Sequence, residues 1–143
     1  MSWKYQNNTY IPKSAAELWP LISTLDGLKK WYIREGRLDA VVGGEFYNEW
    51  SEKVKTMCHV AEIVPNERFA FTWKWTIETR IDFWLEPAED GVGTFVHIEH
   101  GDFPEEKDFE GVFFAYMNGW SKALICLKAL VMTGADLRDE WMW

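Results

Sequence analysis

Residues 69–75 read Phe-Ala-Phe-Thr-Trp-Lys-Trp, so large rings alternate with small or polar side chains. In an extended strand alternate side chains share a face, which groups Phe69, Phe71, Trp73 and Trp75. A face paved with rings needs a cover, either a helix or a bound molecule. The alternation returns over residues 77–85, with Ile81, Phe83 and Leu85 on one parity and Arg80, Asp82 and Trp84 on the other. It recurs over 94–100, where Val96, Ile98 and His100 share a face, and more weakly over 3–11. Residues 45–50 and 56–64 complete the strands; Gly43-Gly44, Pro65-Asn66-Glu67 and the loop 87–93 supply the breaks. Half-buried alternation of this kind predicts an antiparallel meander with one solvated face.

The helical signals sit at the two ends of the strand run. Ser14 and Glu17 have capping-box spacing and open a short helix through Leu18, Trp19 and Ile22. Pro20 lacks an amide hydrogen, which predicts a kink or an early end there. Thr24 caps a second short helix that reaches Trp31. After Pro104, apolar positions fall three or four apart: Phe109, Phe113, Tyr116, Trp120, Leu124, Leu127 and Val131. That is one stripe on a long helix, stopped by Gly134. Strands followed by one long helix predict an α+β domain whose last helix covers the sheet.

Composition sharpens this picture. The chain has 143 residues, the size of one domain spanning 1–143, and its ten tryptophans exceed what such a core needs. Rings of that size suit a cavity wall or an interface, or a closed aromatic core. A net charge of −8 argues against nucleic-acid and anionic-membrane partners, which call for basic patches. There is no secretory signal and no apolar run long enough to span a membrane, so a cytoplasmic location is expected. Cys58 and Cys126 have no metal-type spacing and read as reduced, buried thiols; no metal or cofactor motif is present.

The ordered pieces then carry a resemblance. They are Trp19, Leu28-Lys29-Lys30-Trp31, Gly43-Gly44-Glu45-Phe46, the stretch from Val60 through Pro65-Asn66-Glu67-Arg68, Phe71-Thr72-Trp73, the stretch from Gly93 to His100, and Gly119-Trp120 with Leu124 and Leu127. Together, over about residues 5–138, they resemble the SRPBCC (START-like, birch-pollen-allergen-like) superfamily, and within it the branch of chaperone ATPase activator homologues. The resemblance implies a helix-grip fold: a curved antiparallel sheet wrapped around a long C-terminal helix, with two short helices after the first strand. It also implies a cavity between sheet and helix that in many relatives takes a hydrophobic small molecule. The chain looks like the activator's C-terminal-type domain alone, which makes co-chaperone activity doubtful.

On this reading the ligand-facing residues are Trp31, Phe71, Trp73 and Phe83, with Phe113, Tyr116 and Trp120 on the helix. His59 and His100 are expected to point inward, His59 by sharing the parity of Met57, Ala61 and Ile63. Each could orient a ligand's polar group or stand as a hydrogen-bonded structural histidine. His97 is expected to face outward. An enzyme of cyclase or hydrolase type using His100 with Tyr116 or Asp102 is the alternative, and a protein-interaction module is the third. Gly119 is expected to let the helix approach the sheet and narrow the cavity. The acids of residues 99–110 suit the start of a helix, with Asp102 and Glu105 at capping-box spacing. Cys58 is expected to face away from the cavity, with no base to activate it. The tail ending in Trp141-Met142-Trp143, with Trp84 on the outer sheet face, hints at a homodimer contact.

Overall fold

The computed structural model describes residues 2–74, 77–104 and 107–138, the side chains of 107–109 excepted. Trp75, Glu105, the Phe109 side chain and the Trp-Met-Trp tail therefore lie outside the described residues. The order is β1 (Ser2–Ile11), α1 (Ala15–Ser23), α2 (Leu25–Leu28), β2 (Glu35–Leu38), β3 (Glu45–Glu49), β4 (Lys55–Val64), β5 (Arg68–Lys74), β6 (Glu78–Pro87), β7 (Thr94–Pro104) and α3 (Lys107–Thr133). The strands form one seven-stranded antiparallel sheet ordered β1-β7-β6-β5-β4-β3-β2. It is the expected helix-grip: the sheet is open and curved, and α3 rests on β1 and β7.

Local chemistry sets the ends of these elements. Ser14 accepts from the Glu17 amide while the Glu17 carboxylate accepts from the Ser14 amide, closing the capping box of α1. Of the kink or early end expected at Pro20, the early end does not occur: α1 runs on through Ile22 to Ser23. Hydroxyls support this last turn: Ser23 donates to the Trp19 carbonyl and Thr24 to that of Pro20. Thr24 also accepts from the Gly27 amide, capping α2. A methyl group added at Gly27 would lie 2.0 Å from the Pro20 oxygen, so the close seating of α2 on α1 demands glycine. Gly134 ends α3 with φ 76° and its amide donates to the Leu130 carbonyl.

Alternation on β5 and β6 buries Phe69, Phe71, Trp73, Ile81, Phe83 and Leu85 on the inner face. The expectation for β4 is overturned in its first half. Cys58 and Val60 are buried there and His59 is exposed. The two parities of β4 are about equally apolar, and a bulge between Val60 and Glu62 switches them, so that Ile63, opposite Phe69, packs on the core. One extra residue turns every following side chain to the other face.

Three further expectations change. Helix α2 ends at Leu28 rather than Trp31, and the chain leaves it in a turn whose Trp31, Tyr32 and Ile33 amides all point at the Leu28 carbonyl. Strand β2 is an element the hydrophobic pattern does not mark. Asp102 lies inside β7, bonded to Ser2 and 3.8 Å from Lys4, and does not cap α3. On the outer face Asp82 is held between Arg68 and Arg80. Trp84, also outward as expected, is covered: His97 stacks on it at 4.7 Å and the Arg68 guanidinium lies 4.9 Å from its ring. No described helix is long and apolar enough to cross a membrane.

Candidate functional site

Because α3 leans on the β1–β7 side, its first half stands off from β3, β4 and β5. The gap is an apolar cleft of about 410 Å³. One wall is α3, with Gly111, Val112, Ala115, Tyr116, Gly119 and Trp120; the other is Tyr32, Trp50, Val54 and Trp73. Residues 111, 115 and 119 recur every four positions, so the helix presents backbone and small side chains to the gap. Gly119 lines the cleft with backbone alone and adds no side-chain bulk to it.

The walls are built from rings that hold one another. Tyr32 stacks on Trp120 at 5.5 Å and 19°, and meets Trp50 edge-on at 5.4 Å. Trp50 lies 5.3 Å from Trp73, which meets Tyr116 edge-on at 5.5 Å. Such mutual edge and offset contacts are worth about 0.5–1.5 kcal/mol each beyond burial.

Behind this wall His100 is 0% exposed and both of its ring nitrogens are engaged. The Trp120 indole donates to Nδ1 at 2.8 Å, so the neutral ring carries its proton on Nε2, 2.7 Å from the Thr79 hydroxyl. Thr79 in turn donates to the Trp73 carbonyl. Burial pushes the imidazole down to about 3, and the rings of Trp73, Phe103, Tyr116 and Trp120 surround it. His100 is therefore a neutral strut that fixes the tilt of Trp120. It does not line the cleft, so the general-base role considered for it has no geometric support.

Of the other residues singled out from sequence, Trp73, Tyr116 and Trp120 line the cleft. Phe71 and Phe83 are inward but lie deeper, Phe71 packed on Phe46 and Phe69, and Phe83 beneath Tyr32 and Trp120. Trp31 is buried beside Tyr32 and donates to the Leu21 carbonyl. Phe113 faces Trp3 and Phe103. His59 stands on the outer surface, placed there by its position before the bulge.

The sequence reading missed Tyr32, Trp50, Val54 and, on α3, Gly111, Val112 and Ala115. Trp50 shares the parity of Phe46 and Asn48, and the 111-115-119 spacing is visible, so both signals were present. Tyr32 had none, because it sits in a turn where neither period applies. Among the described residues no formally charged side chain lines the cleft. Its titratable neighbours stay neutral near pH 7: burial raises Tyr32 well above its usual range and pushes Cys58 and Tyr116 up to about 12.

A sequence model described as activator of Hsp90 ATPase homolog 1-like protein matches residues 13–132. Among solved structures, the Aha1 dimer from Colwellia psychrerythraea is similar with TM-score 0.80 and 24% identity, over 92% of this chain and 98% of that one. A Mesorhizobium loti protein gives TM-score 0.80 at 18% identity over 90% and 96%. CalU16 from Micromonospora echinospora gives 0.75 at 19% over 90% and 74%. At these identities the likeness establishes the fold. A comparison with curated proteins returns no match.

Proposed function

The chain belongs to the activator of Hsp90 ATPase homolog 1-like family, a branch of the SRPBCC superfamily, and on that premise we propose that it holds a small apolar aromatic molecule in the cleft between its sheet and α3. The observation that carries this reading is the cleft itself. A void of about 410 Å³ lies within the range of small-molecule sites, and its walls are rings, valines and the small residues of α3. A closed aromatic core would have filled that volume with side chains. The role is noncovalent: the rings bury the guest, and no described nucleophile faces it with a base at hand. At about 0.3 kcal/mol per non-hydrogen atom, a guest of about 20 atoms gains about 6 kcal/mol, a Kd of tens of micromolar.

The test is titration with the uncharged dye N-phenyl-1-naphthylamine, read by energy transfer from tryptophan. Saturable binding to the wild type, lost in the cleft-filling variant Ala115→Trp, is the expected outcome. Equal binding by both proteins would place the dye elsewhere and sink the proposal.

A homodimer is supported by a separate observation. Phe114, Ile125 and Met132 are exposed on one outer stripe of α3, beside the edge strand β1. One similar structure is a dimer. Trp84 no longer contributes to this reading, since its faces are taken up by His97 and Arg68. Sedimentation of the wild type as a dimer and of Ile125→Glu as a monomer is the expected result; a monomeric wild type at 100-micromolar order concentrations would end it.

A further inference from the structure

Several buried polar rings among the described residues are paired. The Trp31 indole finds the Leu21 carbonyl, Trp120 finds His100, and the Tyr5 hydroxyl lies 2.9 Å from Ser121. Tyr32 departs from this pattern. It is 1% exposed, it lines the cleft, and its hydroxyl has no hydrogen-bond partner among the described residues. The ring cannot turn away to find one, because Trp120 stacks on it while Trp50 and Phe83 meet it edge-on. An unpaired buried hydroxyl costs about 1–3 kcal/mol. These ring contacts would have been met equally well by phenylalanine, so packing alone gives no reason for the oxygen.

We infer that the Tyr32 hydroxyl is the polar anchor of the cleft and selects an uncharged aromatic guest that carries a hydrogen-bond acceptor, such as a carbonyl, over both a plain hydrocarbon and an anion. This rests on the cleft being a binding site, and it names the class of guest. The phenol keeps its proton because burial holds it neutral, so it can donate to an acceptor on the guest. The groups that interact with it, Cys58 and Tyr116, are also neutral near pH 7. An anion entering here would shed its water and meet no cation among the described residues that line the cleft, inside a protein of net charge −8. A hydrocarbon would leave the hydroxyl unpaired. A neutral acceptor corrects that defect without adding a buried charge. The small side chains at 111, 115 and 119 leave the facing wall open enough for a fused ring to settle towards Tyr32.

The experiment compares three naphthalenes of similar shape: 2-acetylnaphthalene, 2-isopropylnaphthalene and 2-naphthoate. Each is titrated into wild type and Tyr32→Phe. The expected result is that the substitution weakens the ketone about five- to tenfold, leaves the hydrocarbon unchanged, and that the naphthoate is the weakest guest of wild type. The carbonyl stretch of the bound ketone should also lie at lower frequency in wild type than in hydrocarbon solvent, a readout that needs no variant. If the hydrocarbon binds but the ketone is indifferent to Tyr32→Phe and its stretch is unshifted, the anchor is overturned while the cleft reading stands. Tight naphthoate binding overturns the anchor equally. If none of the three binds wild type, both readings fall together.

Discussion

Acid should unfold this protein earlier than its carboxylates alone would, and His100 is the reason. Its folded pKa of about 3 lies below the ordinary 6.5, with burial as the cause. Below pH 6.5 the unfolded chain therefore takes up a proton that the folded chain refuses. The stability tied to the neutral ring is full above the unfolded pKa and falls as pH drops towards 3. The slope is about 1.4 kcal/mol per pH unit, so about 2 kcal/mol is lost between pH 7 and 5, and about 4 by pH 3. The interval from 7 to 5 isolates the histidine. Asp136, lowered to about 2 chiefly by Arg138, and Glu17 and Asp90, lowered by their own hydrogen bonds, withdraw their support only nearer pH 4 and below. Urea unfolding followed by tryptophan fluorescence at pH 7, 6 and 5 gives the slope. His100→Gln keeps an acceptor for Trp120 and a donor for Thr79 but cannot titrate, so its slope should be flatter by that 2 kcal/mol. Identical slopes, or an imidazole NMR shift showing a protonated ring at pH 5, would refute the buried neutral strut.

Further substitutions test the frame around the cleft. Gly111→Ala adds a methyl with nothing within 4 Å and replaces a poor helix former, so thermal melting should show a gain of about 0.5–1 kcal/mol. Gly27→Ala drives a methyl to 2.0 Å from the Pro20 oxygen and should cost about 2–3 kcal/mol in urea unfolding. Arg138 donates at 2.7 Å to the carbonyls of Lys29 and Ile33, clasping the turn that carries Tyr32. Arg138→Ala should lose about 2–3 kcal/mol, and hydrogen exchange should rise at the amides of residues 31–33; Arg138→Lys should recover less than half, because an ammonium lacks the Nε and Nη2 that grip Asp136 while Nη1 donates to both carbonyls.

What the sequence shows and hides follows from its periods. Strands β5 and β6 carry an unbroken period of two, and their inner faces read directly as Phe69, Phe71, Trp73, Ile81 and Phe83. Most of α3 reads equally well from its stripe through Trp120, Leu124 and Leu127, and Ser14, Thr24 and Gly134 mark helix ends by side-chain and backbone chemistry. Strand β4 misleads because its parities are equally apolar and its bulge is silent in the residues. The site is harder. Inward parity cannot separate a ring that lines a void, such as Trp73, from one sealed beneath it, such as Phe83. That depends on where α3 stands off the sheet, a tertiary fact. His100 points inward as its parity requires, but its use as a strut emerges only with Trp120 and Thr79 in place. Tyr32 belongs to a turn and obeys no period at all.

The chain's ten tryptophans give ten indole probes for the central claim, that the cleft is a small-molecule site. The measurement is an amide and indole proton–nitrogen NMR titration with 2-acetylnaphthalene. Saturable shifts are predicted at the indoles of Trp50 and Trp73, which line the cleft, with those of Trp19 and Trp84, outside it, unmoved. Indoles that stay in place at saturating ligand, or shifts confined to Trp19 and Trp84, would contradict it.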